Sequence, residues 1–230
     1  ISLFYIYPLV ESIIQKRNFV ASICILIGMK YLFENTKSGL LKYLIWCFIA
    51  AQFHIVAYVY ILFLIFYKFD IKKLEKILPI VVIVGCIAIP IIPKVAMIFF
   101  PESKFQLYFY EYRVGLFNSI CWGALHIAFV ILANKIYKIS LSDCDDTQKK
   151  LAENVYKINI ISLIFLPLYY YEPTFIRIYR NLLILNYIIF ANILPISTIV
   201  KKYTFKMILS QIILIAFAFF IVYIITGEGF

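Results

Sequence analysis

Groups that could perform chemistry are scarce in this sequence. Among 230 residues it has 2 histidines and 12 acidic residues, and it contains no P-loop, no GxSxG and no HExxH motif. No hydrophobic segment carries an acidic residue at membrane depth, which argues against a proton-coupled carrier with an acidic relay. No two histidines have metal-ligand spacing and no acidic cluster could hold a cation, so we expect no metal and no cofactor.

Charged residues are also scarce, at 15% of the chain, while 64% of the residues are hydrophobic. Soluble domains are about a quarter charged and about half apolar, so an ordinary globular core is excluded. The net charge of +10 does not indicate a nucleic acid partner, because lysines and arginines of a membrane protein lie in loops and set its topology. The composition instead predicts membrane lipid as a partner.

Eight hydrophobic segments are candidates for spanning helices, each of which needs about 20 mostly apolar residues. We predict an all-α, polytopic transmembrane helical bundle of seven to eight segments, forming a single membrane domain over residues 1–230. Because the first residue is Ile, we expect the full protein to have further N-terminal segments. The polar stretch 134–157 is predicted to be a solvated loop with a short surface helix. The segments are 1–14, 18–34, 42–67, 77–100, 113–134, 157–171, 179–200 and 205–226.

Segment 77–100 is ambiguous because Pro90, Pro93 and Lys94 interrupt it, and proline kinks or breaks a membrane helix. If the segment crosses once, one face of the membrane has fourteen basic residues and the other eight. If it is a re-entrant or broken hairpin, the faces have eleven each, but all four arginines then share one face. Both topologies remain open at this stage.

Two helices carry stripes of small residues, one below Arg17 and one around His54, and small residues let membrane helices approach closely. With a turn near Ser38, Arg17 lies about 9 Å along the helix axis from His54, at 1.5 Å per residue. We expect the two side chains to share a cavity. The alternatives are an interhelical hydrogen bond for His54 and an interfacial cation for Arg17. The stripes consist of Ala21, Cys24 and Gly28 and of Cys47, Ala50 and Ala57.

The stretch YYYEPTFIRIYRNLLILN combines Tyr171 and Glu172 with Arg177 and Arg180, which are spaced to share a helix face. A guanidinium group suits phosphate, and tyrosine rings suit sugars. The alternative is an aromatic and cationic belt that binds lipid headgroups.

A third candidate cluster begins with Tyr112 and Arg113 at the start of a polar helix. His126 lies further along this helix without a charged neighbour in sequence, and we interpret it as structural.

Two stretches resemble the EpsG-like membrane proteins, which are grouped with the Wzy-type polysaccharide polymerases. KRNFVASICILIGMKYLFENTK followed by LIWCFIAAQFHIVAYVYILF is similar to that family's arginine above small residues and its Phe-His pair in the next helix. EPTFIRIYRNLLILNYIIFANILP is similar to its late helix of arginines and aromatics. One departure is that Val56 and Ala57 follow His54, where the family has a small hydroxyl residue two positions on.

The resemblance implies a GT-C-like core and a glycosyltransferase of the cytoplasmic membrane with an extracytoplasmic active face. It would polymerise polyprenyl-diphosphate-linked glycan repeats into a capsular or extracellular polysaccharide, alongside other polysaccharide-assembly proteins. Arg17, Arg177 and Arg180 would then stabilise the diphosphate, and His54 would act as general base. The other functions considered are a ligase or acyltransferase on the same lipid-linked glycans, a transporter or flippase, and a helper subunit.

Overall fold

The computed structural model describes residues 16–98, 109, 116–171 and 175–193, and all regular structure in these residues is helical. The all-α prediction is therefore confirmed for this part of the chain. Two of the elements, η1 and η2, are 3₁₀ helices. The elements are α1 (Lys16–Glu34), α2 (Lys37–Phe53), η1 (Ile55–Ile61), α3 (Leu62–Phe66), α4 (Ile71–Ile87), α5 (Ile92–Ala96), α6 (Leu116–Asp143), α7 (Asp146–Ser162), η2 (Leu163–Tyr170), α8 (Ile176–Arg180) and α9 (Leu183–Ile193).

Helices α1 and α2 form a close pair joined by a turn of two residues. Asn35 adopts the left-handed conformation with φ 51°, which asparagine tolerates better than most residues. Thr36 caps α2, accepting a hydrogen bond from the Gly39 amide at 2.9 Å. The predicted stripes of small residues are confirmed as the interface of this pair, because Ala21, Cys24, Gly28, Cys47 and Ala50 are all buried.

The chain reverses direction at His54. This residue is extended, with φ −148° and ψ 112°, between the end of α2 and the start of η1. The Tyr43 hydroxyl, near the start of α2, donates to the Tyr60 carbonyl at 2.8 Å. In one continuous helix these residues would lie about 25 Å apart, at 1.5 Å per residue. The second leg, η1 and α3, therefore runs back along α2.

Two ring contacts complete the reversal. Phe48 packs on Tyr58 with 5.8 Å between ring centroids, and Phe33, at the end of α1, stacks on Tyr67 at 6.4 Å. The prediction that segment 42–67 is one spanning helix is therefore wrong. Its second half is rich in β-branched and aromatic residues, which have low helix propensity, and folding back buries their rings.

Segment 77–100 is interrupted after its first helix, and the choice between a single crossing and a hairpin stays open because residues 99–108 lie outside the described residues. Helix α4 ends at Ile87, a turn follows at 88–91, and α5 is a single short helix. The α4 helix packs closely on η2, since a Cβ added to Gly85 would lie 2.8 Å from Pro167. At the turn, the Tyr171 hydroxyl donates to the Ile89 carbonyl. The α4 segment leads from the α2–α1 turn region to the end of the bundle at which His54 lies.

The polar stretch 134–157 is not a loop, and that prediction is wrong. Helix α6 continues to Asp143, α7 begins at Asp146, and two residues connect them. Asp145 and Gln148 form a capping box at the start of α7. Lysine, glutamate and alanine in this stretch favour helix, while Ala152 and Val155 bury the inner face. The stretch is part of two helices, and the charged residues of their outer face led to the prediction of a loop.

The described helices place their connections at two ends of the bundle. One end, which we call the arginine end, holds Asn18, His54, the turn at 88–91 and Arg177. The other, which we call the lysine end, holds the turns at 35–36, 67–70 and 144–145. Contacts across elements define the lysine end, since Tyr67 binds the Asn154 side chain and the Tyr156 hydroxyl donates to Glu75 at 2.8 Å.

Several helices present apolar faces that no described residue covers. On α4, Ile80, Ile83 and Ile87 are 62%, 59% and 74% exposed, and their spacing puts them on one face. Contiguous exposed apolar surface of this kind suits a lipid environment. Two helices in the described part are long and apolar enough to cross a membrane, Ser119–Asp143 and Asp146–Tyr170. The span count of seven to eight stays a prediction.

Candidate functional site

A cavity at the arginine end brings together two of the side chains that were predicted for the site from the sequence. His54 and Arg177 both line it, although one lies at the α2–η1 reversal and the other on α8. Its volume is about 40 Å³, which is room for a few water molecules. Asn18, Tyr60 and Asn181 supply the other polar groups of the wall. The apolar wall consists of Ala21, Val56, Ala57, Phe175 and Ile178.

The reversal of the chain determines where the His54 imidazole lies. As the single extended residue between two helices, His54 lies at the tip of the α2–η1 hairpin, and its carbonyl accepts from the Ala57 amide at 2.9 Å. Irregular backbone inside a membrane protein is tolerated where it is buried in protein or lines a cavity. The half-buried ring of His54 is therefore presented from a tip and not from the side of a helix.

Helix α8 is fixed to this hairpin by Tyr60. The Tyr60 hydroxyl donates to the carbonyl of Ile178, the residue after Arg177, at 2.7 Å. The Tyr60 backbone is in turn held by Tyr43 from α2. Both tyrosines are buried, with 2% and 0% of their surface exposed, so these hydrogen bonds are shielded from competing water. The position of Arg177 relative to His54 is thus fixed by a chain of two buried hydroxyls.

A second buried network holds α8 from the opposite side. The His126 imidazole lies 2.9 Å from the Tyr169 hydroxyl and 2.8 Å from the Ser162 hydroxyl, and it stacks on Tyr179. Both ring nitrogens have partners and the side chain is fully buried. This arrangement confirms the interpretation of His126 as a structural residue.

The network continues through two paired amides. Asn159 and Asn186 exchange hydrogen bonds at 2.6 and 3.0 Å, and the Tyr179 hydroxyl donates to the Asn159 carbonyl oxygen at 2.8 Å. These contacts join α7, α8 and α9 through polar groups whose hydrogen-bonding capacity is largely satisfied. Tyr179 therefore anchors the helix that carries Arg177 and Arg180.

The remaining predicted site residues have different positions. Arg17 is exposed and is not part of the cavity lining, which its neighbour Asn18 joins instead. Arg180 is half-buried on α8, also outside the lining. Tyr171 is buried, with its hydroxyl on Ile89 and its ring packed on Phe109 at 5.0 Å between centroids. Three predicted substrate-binding residues lie outside the described residues: Tyr112, Arg113 and Glu172.

Sequence reasoning did not assign Asn18, Tyr60 or Asn181 to the site. Each of the two asparagines directly follows an arginine that had been singled out, so their position was the available signal. Tyr60 gave no signal, because it is one of 19 tyrosines and its place in the cavity depends on the reversal at His54. In the described residues, no group of three or more His, Cys, Asp or Glu side chains could hold a metal ion.

Comparison with known proteins gives one whole-chain match. The model of the EpsG family matches residues 1–229, which include both stretches that carry the resemblance. Neither the curated proteins nor the solved structures provide a match to this chain. The match and the two long apolar helices identify a membrane protein of polysaccharide biosynthesis with polymerase-type function. The chain belongs to the EpsG family, the family of Wzy-type polysaccharide polymerases.

Proposed function

We propose that this protein is a multi-pass glycosyltransferase of the cytoplasmic membrane that polymerises polyprenyl-diphosphate-linked oligosaccharide repeats. The product is a capsular or extracellular polysaccharide, and the lipid carrier is undecaprenyl diphosphate or a similar polyprenol. The observation that carries the proposal is the shared cavity of His54 and Arg177. It unites an imidazole with a guanidinium, the two groups that this transfer needs.

The reaction makes one bond and breaks one. A hydroxyl oxygen of the acceptor sugar attacks the anomeric carbon of the donor, and the bond from that carbon to the diphosphate oxygen breaks. His54 accepts the hydroxyl proton as general base. The polyprenyl diphosphate leaves with the bonding electrons, and Arg177 stabilises the charge that develops on it. No oxidant, reductant or metal is required by this balance.

Other cations and rings complete the substrate path in this proposal. Arg180 follows Arg177 by three residues on α8, and Arg17 lies beside the cavity residue Asn18. Both are suited to hold the second phosphate or the approaching headgroup. Arg113, Tyr112, Tyr171 and Glu172 are assigned to sugar and headgroup contacts on the strength of the sequence.

The distribution of charge supports an extracytoplasmic active face. Lysines are concentrated toward the lysine end of the described bundle, and Lys/Arg-rich loops face the cytoplasm. The arginine end, with the cavity, would then face outward. At the arginine end the described cations are Lys16, Arg17, Lys94, Arg177 and Arg180. Toward the lysine end they are Lys30, Lys37, Lys42, Lys68, Lys72, Lys73, Lys76, Lys135, Lys138, Lys149, Lys150 and Lys157.

The decisive experiment is reconstitution of the purified protein in liposomes with lipid-linked repeat units, followed by gel separation of the products. We expect a ladder of chain lengths from the wild type. His54→Ala should slow polymerisation about 100-fold or more, the usual contribution of a general base. Arg177→Ala should slow it by a similar factor, and Arg177→Lys should recover part of the rate because it keeps the charge but loses the planar fork.

Controls separate this function from the alternatives. Lys138→Ala, an exposed cation on α6, should behave as the wild type. Transfer of a single glycan or acyl group to another acceptor, without a ladder, would indicate a ligase or acyltransferase. Movement of the lipid-linked repeat across the bilayer without any new glycosidic bond would indicate a flippase. Full activity of His54→Ala would remove the imidazole from the mechanism.

A further inference from the structure

One wall of the cavity is built from two amides that meet across the bundle. Asn181 lies directly after α8 and is buried, and its side-chain nitrogen donates to the Asn18 carbonyl oxygen at 3.3 Å. The same nitrogen donates to the Tyr60 hydroxyl at 3.2 Å. All three side chains line the cavity that also contains His54 and Arg177. The neutral polar side chains of this wall thus lie in the same cavity as the charged side chain of Arg177.

The orientation of the Asn181 amide follows from its neighbours. The Tyr60 hydroxyl uses its one hydrogen on the Ile178 carbonyl, so toward Asn181 it can only accept. The nitrogen of Asn181 must therefore face Tyr60, and both of its hydrogens are used. The Asn181 carbonyl oxygen and the Asn18 amide nitrogen have no hydrogen-bond partner among the residues that the structure describes. These two residues of the cavity lining consequently bring one further acceptor and one further donor to the site.

This pair of groups discriminates between the two halves of a lipid-linked glycan. A sugar hydroxyl both donates and accepts, so it can use the Asn181 oxygen and the Asn18 nitrogen together. A phosphate ester only accepts hydrogen bonds and carries negative charge, so it is repelled by the Asn181 oxygen and drawn to Arg177. The cavity volume of about 40 Å³ gives room for a hydroxyl or hydroxymethyl substituent of a sugar.

We infer that Asn18 and Asn181 form a subsite for a neutral sugar substituent, separate from the diphosphate site at Arg177. The subsite holds a hydroxyl or hydroxymethyl group of the glycan while His54 faces the same space. This inference rests on the proposed function, because it assigns the saccharide part of the same substrate. It makes Asn181 a determinant of sugar recognition and leaves phosphate recognition to the guanidinium.

The test separates saccharide binding from phosphate binding. Polymerisation is measured in liposomes against lipid-linked repeat concentration, and inhibition is measured with the same polyprenyl diphosphate carrying no sugar. Asn181→Ala should raise KM for the lipid-linked repeat about tenfold, as loss of a neutral hydrogen bond predicts, and leave inhibition by the sugar-free lipid unchanged. Arg177→Ala should weaken inhibition by the sugar-free lipid.

Two further variants guard against a purely structural effect. Asn18→Ala removes a half-buried amide but keeps the Asn181–Tyr60 contact, and it should reproduce the KM shift with an unchanged melting temperature. Asn192→Ala removes an exposed asparagine on α9 that, within the described residues, bonds only to its own helix, and it should match the wild type. An unchanged KM in both cavity variants would overturn the subsite. So would an equal loss of binding for the lipid-linked repeat and for the sugar-free polyprenyl diphosphate.

A direct measurement keeps this inference distinct from the proposed function. The repeat-unit saccharide, released from its lipid, is titrated into the wild type and into Asn181→Ala by calorimetry. If the wild type binds the saccharide through Asn181 but makes no polymer, the subsite stands and the polymerase proposal fails. If polymer forms while the saccharide binds both proteins equally, the subsite fails and the polymerase proposal stands.

Discussion

The imidazole of His126 stacks on the ring of Tyr179, with 3.5 Å between the ring centroids and 18° between their planes. Tyr179 lies on the five-residue helix α8, between Arg177 and Arg180. A buried histidine of α6 thus holds the helix that carries the two arginines, without contributing to the cavity lining itself.

His126→Leu should therefore destabilise the protein. It removes the stack and leaves the buried Tyr169 hydroxyl without its partner, whereas the Ser162 hydroxyl keeps its hydrogen bond to the Asn159 carbonyl. Each unsatisfied buried group costs about 1–3 kcal/mol. Unfolding in detergent micelles should show a lower free energy for His126→Leu, while His126→Gln recovers part of the loss. Ser142→Ala removes an exposed hydroxyl on the same helix and is the control. Equal stability of His126→Leu and the wild type would contradict the stabilising role of His126.

Two glycines should respond in opposite ways to alanine. A Cβ at Gly39 would lie 2.5 Å from the Tyr31 backbone carbonyl, whereas a Cβ at Gly123 would have only ordinary contact with Leu166 at 3.7 Å. Gly39→Ala should open the α1–α2 pair at a cost of about 1–3 kcal/mol. Gly123→Ala should be neutral or slightly stabilising, since alanine favours helix more than glycine. Melting temperatures of the two variants provide the comparison.

The reversal at His54 predicts an unusual labelling pattern. In a background without the native cysteines, Lys37→Cys and Lys68→Cys should react with an impermeant maleimide from the same side of the membrane. A single helix over 42–67 would put them on opposite sides. Labelling of one position from outside and the other from inside would remove the hairpin and the cavity built on it.

A second pair of positions tests whether the site is shared. Arg17→Cys and Arg177→Cys should both label from the side opposite to Lys37→Cys, because the contact between Asn18 and Asn181 puts their helices side by side. Labelling of the two arginine positions from opposite sides would separate the early and late arginines. The shared substrate site would then be lost even if each position were accessible.

Cys144, between α6 and α7, should react slowly with alkylating reagents near neutral pH. Burial raises the pKa of its thiol above the ordinary value, and the carboxylates of Asp143 and Asp145 act in the same direction. A raised pKa leaves less thiolate at a given pH, so the alkylation rate should keep rising above the pH at which free cysteine is fully ionised. Asp143→Asn should lower the pKa and shift the rate profile to lower pH. The alkylation rates are measured with Cys144 as the sole cysteine. A pH profile of the rate equal to that of free cysteine would contradict this prediction.

The sequence was sufficient for the helical class and the α1–α2 interface, and the interface depended on a local pattern of small residues at helical spacing. The arginine that the sequence paired with His54 was Arg17, which is exposed and lies outside the cavity lining. The reversal at His54 was not predictable from such patterns, because no proline or glycine marks it. What stabilises the reversal is the burial of Tyr43, Tyr60 and Tyr67 against distant helices, which is a tertiary effect.

The polar start of α7 was missed for a related reason. Its charged residues are those expected of a loop, and the capping box of Asp145 and Gln148 was the signal that could have revealed the helix. Asn18 and Asn181 were missed as a pair because their contact joins the two ends of the described chain. A hydropathy pattern shows neither a helix cap nor a contact between residues that are far apart in the sequence.

The 3₁₀ winding of η2 affects the position of the residue that follows it. Pro167 lies inside η2 and cannot donate an α-helical hydrogen bond, and 3₁₀ winding advances about 2.0 Å per residue where an α-helix advances 1.5 Å. Over the eight residues Leu163–Tyr170 the difference is about 4 Å. Rewinding this stretch as α-helix would shorten it by more than the length of a hydrogen bond. The 3₁₀ winding thus places Tyr171, the residue that follows η2, about 4 Å further along the helix axis than α-helical winding would.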